Sequence, residues 1–550
     1  MDVCNISEAT MKTPLTSRRF WLIVLLMLVL SSVSFAKDWE ELQKFVAADR
    51  AALARFGWSV CVDGDYAIVG ASLERMDASG GNMLYGAGAA YIFARDGGAW
   101  VQQQKLVAFD RHAEALFGYS VSISGSYAIV GAIYEPYNAL NRDSVFRAGA
   151  AYIFERTGTS WTQVAKVVAP DRAEDDDFGV SVGISGEYAI VGTYRQDLNA
   201  GGTNSVPDAG AAYIYVRTGT GWGLQQKVTA AAREIGAGFG FAVAISGNRA
   251  IVGAMDEDPG GLMDAGAAYV FRRDGSTWVQ EKRLVAFDAA GSNEFGWSVA
   301  LSGDDAAVGA YRAHYDGPGP FVAQAGAVYV YVRDDTNWVV QQQVFANYRT
   351  NGAGFGNAVS ISGDNLVGGC VTWRAHVFAR SAGTWTEARE LVAHDSLVTD
   401  DFGYSVSISG NIAMVGAPNN WLDPSGGNNM SQAGAVYVFG PGSTGVGDDG
   451  SGDMPQSFRL NQNFPNPFNP ATTITFELPQ ASDVRLSLFD LLGREISVLL
   501  NERRTAGVHA VRLDGSSLAS GVYFYRLQAR PIRDGQAGDY IAVKKLLMLR

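Results

Sequence analysis

Three short acidic clusters are the residues of this chain best suited to chemistry: Asp175-Asp176-Asp177, Asp256-Glu257-Asp258 and Asp400-Asp401. Two carboxyl groups facing each other across a cleft can cleave a glycosidic bond, one as acid and the other as base or nucleophile. On a chain with 56 acidic and 43 basic residues, however, such clusters read first as solvated loop charge. The five histidines, His112, His314, His376, His394 and His509, and the three cysteines offer no zinc-ligand spacing. No Gly-x-Ser-x-Gly turn or phosphate-binding loop occurs, so neither a serine-hydrolase nor a P-loop site is expected. Asp49, Asp110, Asp171, Asp288 and Asp395 recur at one spacing. A residue repeated in this way is expected to fix a turn by bonding to the backbone rather than to form a single site.

Aromatic residues are the second candidates, because flat apolar faces bind sugars and anchor protein contacts. Trp39, Trp100, Trp161, Trp222, Trp278, Trp338 and Trp385 recur regularly and are read as packing residues. Tyr85, Tyr134, Tyr137, Tyr194, Tyr315 and Trp421, with Phe146 and Phe321, stand in irregular stretches and are the expected ligand contacts.

The elements that must carry these residues follow from an internal repeat. The dipeptide Phe-Gly starts at Phe56, Phe117, Phe178, Phe239, Phe295, Phe355 and Phe402, at spacings of 61, 61, 61, 56, 60 and 47 residues. Each copy continues as in FGYSVSISGSYAIVGA from Phe117. A variable stretch follows, then a Gly-Ala-Ala-Tyr-like run, a short turn and a Trp-led segment. Alternation of Tyr119, Val121 and Ile123 with serines is the period of a strand, and Gly125 marks a hairpin turn. Four short strands per copy and seven copies predict a seven-bladed β-propeller, because a single blade cannot bury both of its faces. The seventh copy lacks its Trp strand. Trp39–Asp49 matches Trp100–Asp110 in register, so the chain's first strand is expected to complete the last blade. Copy six has almost no variable stretch. Strand order places the other six variable stretches on one face with the blade-to-blade connections, and binding is expected there.

The Phe-Gly start and Val-Gly-Ala end of each copy resemble FG-GAP repeats, the unit of integrin-type propellers. The resemblance raises calcium, which family blades hold on a DxDxDG loop. Here the loop is a tight turn, with acids only at Asp63-Gly64-Asp65 and Gly303-Asp304-Asp305, against the six to eight oxygens calcium needs. No cofactor is expected.

The chain's ends carry addresses. Arg18-Arg19, the apolar run Phe20–Leu30 and Ser34-Phe35-Ala36 read as a signal peptide over residues 1–36. No second run reaches the ~20 residues that span a bilayer, so no transmembrane segment is expected after its removal. The propeller is assigned to 37–440, a flexible linker to 441–457 and a β-sandwich to 458–550. This last part is similar to the C-terminal sorting domain of the type IX secretion system. The likeness rests on Asn463-Phe-Pro465-Asn466-Pro467-Phe468, Gly493-Arg494, Gly521-Val-Tyr523 and Lys544-Lys545. It implies handling by that machinery and a place outside the cell or on the outer-membrane surface.

The expectation is therefore an all-β, non-catalytic exported propeller that recognises a protein or glycan, with adhesion as its role. The alternative is a secreted polysaccharide hydrolase or lyase with its site on the long-loop face. Acidic balance and the lack of a basic cluster argue against nucleic acid.

Overall fold

The computed structural model describes residues 39–441, apart from 97, 220, 316, 318, 319, 336, 396–398, 426 and 428. It also describes 458–548, apart from 461, 462, 464–470, 506, 516, 517 and 532–539. The signal segment, nearly all of the linker and the sorting-motif residues Pro465, Asn466, Pro467 and Phe468 lie outside the described residues. The chain divides into two compact units after Gly442. No helix among the described residues is long and apolar enough to cross a membrane.

The first unit contains seven four-stranded antiparallel sheets. Blade one is built from Phe56–Asp63, Tyr66–Ala71, Ala89–Asp96 and Ala99–Leu106, in that order from the axis outward. Blade seven contains Ser405–Ser409, Ile412–Ala417 and Ala435–Pro441, and its fourth strand is Trp39–Phe45. That strand pairs antiparallel with Ala435–Pro441, from Trp39 opposite Pro441 to Phe45 opposite Val436. The ring is thus closed by the two ends of the propeller chain, as the sequence match predicted.

Sheet faces meet between neighbouring blades, and there the core sits. The cluster between blades seven and one joins Phe45, Val436 and Val438 to Phe56, Tyr91, Phe93 and Trp100. Phe45 lies against Phe93 with ring centroids 4.2 Å apart and planes tilted by 34°, and meets Phe56 edge-on at 6.2 Å. Six of the seven repeated tryptophans are at most 4% exposed, Trp222 being only partly buried, so they are packing residues as expected.

Polar staples accompany the apolar core. The Gln43 side chain donates to the Trp100 carbonyl at 2.9 Å and accepts from the Trp100 amide at 2.7 Å. Gln104 does the same with Trp161, Gln226 with Trp278, and Gln342 with Trp385. Nearer the axis, Ser59 Oγ donates to Gly118 O at 3.0 Å, with equivalents from Ser120 to Gly179 and from Ser405 to Gly57. The Phe-Gly glycine permits this close approach. A Cβ on Gly57, at φ +89°, would stand 2.5 Å from the Ala435 carbonyl oxygen.

The second unit is a two-sheet sandwich. Arg459–Leu460, Ala471–Leu478 and Gly507–Asp514 form one sheet, and the other runs in the order Glu495–Arg504, Ser482–Phe489, Gly521–Pro531, Tyr540–Met548. Ile474, Phe476, Leu486, Leu527 and Leu546 fill the space between the sheets. Asn463 is buried: its amide donates to Tyr525 Oη at 2.7 Å and its Nδ2 to Thr472 Oγ1 at 3.0 Å. Gly493 has φ +78° in a turn where Arg494 pairs with Asp490 at 2.7 Å, and Tyr523 Oη donates to Ala519 O at 2.8 Å. Lys544 and Lys545 are exposed on the edge strand. These sorting-motif residues therefore include both core-fixing and surface positions.

Candidate functional site

The recurring aspartates bond to side chains of the next blade, which corrects their reading as backbone turn-fixers. Lys105 meets Asp49, Lys166 meets Asp110, Lys227 meets Asp171 and Lys44 meets Asp395, all at 2.6–2.7 Å. Each aspartate lies in the turn after one blade's outer strand, and each lysine lies on the following blade's outer strand. The third-strand tyrosines join in: Tyr213 donates to Asp171, Tyr329 to Asp288 and Tyr437 to Asp395, at 2.5–2.7 Å. A further polar residue comes from the long loop: Lys166 also meets Glu135 at 3.1 Å, and Lys44 meets Asn420 Oδ1 at 3.1 Å. Blade four departs from the pattern, with Arg283 and Tyr269 both bonded to Glu257.

This repeat explains the one cluster with metal-like donors among the described residues. Asp110, His112 and Glu135 place a ligand atom each within 4.8 Å of one another. The Lys166 ammonium already occupies the space between Asp110 and Glu135, and His112 Nδ1 lies 3.1 Å from Glu135. The same Asp–Lys pair recurs at other junctions without a histidine, so the cluster is an inter-blade lock. The turn acids also have partners: Asp63 accepts from the Gly125 amide at 2.7 Å, Asp304 pairs with Arg249 at 3.0 Å and Asp305 with Arg380 at 2.6 Å.

The acidic clusters are not solvated loop charge. Asp176 is 2% exposed and accepts from the Ala173 amide and from Gln196 Nε2, at 2.7 and 2.9 Å. Asp400 is 1% exposed and accepts from Asn420 Nδ2 at 2.7 Å. Burial pushes the carboxyl of Asp176 up to about 7 and those of Asp177 and Asp256 up to about 6. A carboxyl raised on folding holds its proton better in the native than in the unfolded state. Its contribution to stability is therefore full below the unfolded value near 4 and is lost as pH rises through the folded value. The variant Asp176→Asn should gain on the parent as pH rises from 5 to 8, by at least about 1 kcal/mol in denaturant titrations. A difference that does not change with pH would contradict this assignment.

The long loops are held firmly. Arg111 donates to Arg75 O and Asn82 O, Arg172 to Pro136 O and Asp143 O, and Arg233 to Asp197 O and Asn204 O, at 2.5–3.3 Å. Asp77 accepts from the Ser79 and Gly81 amides, and Asp423 accepts from Ser425 and Gly427 in the same way. The described parts of the loops of blades one, two, three and seven are thus pinned at several points on the face where the sequence placed binding.

The expected contact residues divide into three groups. Tyr85 and Trp421 are exposed at the loops, with the Arg75 guanidinium 4.9 Å over the Tyr85 ring. Tyr137 stacks on His112 at 4.5 Å and lines an open groove of about 690 Å³ with Asp77, Leu84, Phe109 and Arg111. Tyr134 lies under Arg147 at 4.4 Å, and Tyr194 meets Phe241 edge-on at 5.6 Å. Tyr315 is only 9% exposed, packed edge-on against Phe345 and covered by Arg349 at 4.0 Å. Both partners lie in the segment after the strand Asn337–Val344, so the Tyr315 ring ties its loop to that segment and presents little surface to a ligand.

A further group escaped the sequence reading. The residue after each Phe-Gly is Trp58, Tyr119, Val180, Phe241, Trp297, Asn357 or Tyr404. The residue before each Phe-Gly has φ between 52° and 64° in all seven blades, as at Arg55 and Asp401. A register shift follows Phe56, Phe117 and Phe295, and such bulges re-aim the side chains they carry. The aromatic rings consequently gather around the axis at the long-loop end of the inner strands. Trp58 lies 4.6 Å from Tyr404 and 5.5 Å from Tyr119, and Trp297 lies 4.7 Å from Phe241 and 4.4 Å from Tyr311. All six rings are partly exposed. Arginine–carboxylate pairs sit among them: Arg312 with Glu294 at 2.6 Å and Arg195 with Asp177 at 3.8 Å, while Arg55 lies 5.3 Å over Trp58. An aromatic at this position in five of seven copies was the available signal.

Comparison with known families gives two matches. The FG-GAP repeat matches residues 39–93, 100–154, 161–215, 222–271, 278–331 and 385–439. Each matched segment starts at an outer-strand Trp and ends on the third strand of the next blade, so the family's repeat is offset by one strand from the structural blade. The stretch left unmatched includes most of the shortened blade six. The secretion system C-terminal sorting domain matches residues 462–533. No curated protein matches the chain.

Proposed function

The chain belongs to the FG-GAP repeat family and carries a type IX sorting domain that directs it to the cell surface or beyond; from that premise we propose that it is a non-catalytic binding protein. It recognises an extracellular protein or glycan with the long-loop face of the propeller and serves adhesion. The observation that carries the reading is the axial group of Trp58, Tyr119, Phe241, Trp297 and Tyr404, partly exposed and bordered by arginine–carboxylate pairs. Concave sites lined by aromatic groups with a few fixed polar partners are where ligands bind, and loops already held in one conformation lose little entropy on binding.

The test is to screen the full-length protein against glycan and extracellular-protein arrays, then repeat the screen with Trp58→Ala and Trp297→Ala. The expected result is a loss of affinity of about tenfold or more for the captured ligand in either variant. A ligand that both variants retain, and that is lost only on changing the opposite face at Asp65 or Asp304, would overturn the reading.

A further inference from the structure

Blade six breaks the wall of long loops. Its second strand, Asn365–Gly369, and third strand, Ala375–Ser381, are joined by only five residues. The other blades carry substantially longer connections on this face. Among the described residues, the long loops therefore border the mouth around the axis on six sides, and blade six contributes none.

The opening continues the axial aromatics outward. Trp373 lies near Asp401, which is itself close to Tyr404 and Arg55. The neighbouring Arg374 covers the Tyr348 ring at 4.0 Å and pairs with Glu390. Tyr348 is 47% exposed. A line of rings and guanidinium–carboxylate pairs thus leads from Trp58 and Tyr404 at the axis, past Asp401 and Trp373, towards Arg374 and Tyr348 at the rim.

Resting on the binding function proposed above, we infer that this line holds a linear, uncharged polysaccharide, seated on the axial rings and leaving over blade six. The chemistry selects this occupant. Aromatic faces cover the C–H faces of sugar rings, and Arg195, Arg312 and Arg374 are each already matched by an acid, leaving planar donors and acceptors without net charge. A polyanion would meet the repulsion of a protein of net charge −13. A polymer, unlike a mono- or disaccharide, uses a site that is closed on one side and open on the other, because its chain must pass out of it.

Affinity electrophoresis of the full-length protein in gels containing β-glucan, xylan, mannan, polygalacturonate or heparin tests the class. Calorimetry with a length series of oligosaccharides from the retarding polymer tests the path. The expected results are retardation by an uncharged polymer and an affinity that rises about tenfold between short and long oligosaccharides. Tyr348→Ala, an exposed substitution that spares the fold, should abolish that rise and leave short-oligosaccharide affinity unchanged; Trp58→Ala should remove both. Retardation by polyanions alone, affinity independent of length, or a length dependence unchanged in Tyr348→Ala would overturn the inference. If a protein ligand is captured and lost in Trp58→Ala while no glycan binds, the binding function stands and the polysaccharide inference falls.

Discussion

Removing residues 37–48 should leave a propeller that does not stay folded as a soluble monomer. The deletion takes out the strand Trp39–Phe45 and exposes the Ala435–Pro441 edge it covers. Trp39 and Phe45 are 2% and 4% exposed, and losing a buried large aromatic costs about 3–5 kcal/mol. Two such losses approach the ~5–15 kcal/mol that is the whole stability of an ordinary domain. The same deletion removes Lys44 from Asp395 and Gln43 from the Trp100 backbone, and an unpaired edge strand invites association. Thermal unfolding and size-exclusion chromatography of the truncated protein beside its parent read the effect. Grafting the same segment after Pro441 through a short linker should restore monomer and melting temperature, since strand pairing does not depend on which chain end supplies the strand. An unchanged melting temperature with monomeric elution would contradict closure by this strand.

Lys166→Met should be the most damaging single substitution among the inter-blade lysines. Lys166, Asp110 and Glu135 expose 1%, 4% and 1% of their side chains, so removing the ammonium strands two carboxylates away from water. Breaking a buried ion pair from one side costs about 3–5 kcal/mol. Lys105→Met should cost less, because one of its two carboxylate partners, Asp49, is 39% exposed and can rehydrate, leaving only the buried Glu74 stranded. Adding Glu135→Gln to Lys166→Met should recover part of the loss by removing one stranded charge. Urea midpoints of the four proteins decide the matter: equal losses for Lys105→Met and Lys166→Met, or no recovery in the double variant, would falsify the charge-burial account.

Much of this architecture is local and therefore legible in the order of residues. Alternation along Phe117–Ser124 and the Gly125 turn specify a hairpin by the geometry of the strand itself. Repetition seven times specifies a ring, because each sheet needs a neighbour on both faces. The in-register match of Trp39–Asp49 with Trp100–Asp110 even located the closing strand. The sorting motifs 463–470 were legible in the same way, as a fixed local pattern.

The site was less legible, for a different reason. Asp110 and Lys166 are 56 residues apart, and only the rotation from one blade to the next brings them together. Sequence showed that the aspartate repeats; it did not show that the partner is a lysine one blade further on. Asp176 and Asp400 resemble ordinary surface acids until the loops fold over them. Trp58, Tyr119 and Tyr404 sit in a strand pattern like any other strand residue, and the bulge after Phe-Gly together with radial packing turns them toward one another at the axis. The sequence by itself determined blades, their number and their closure, because these follow from short-range periodicity and its repetition. The tertiary structure alone decided which charges are buried and which aromatics converge, because those depend on rotation about an axis that no single repeat contains.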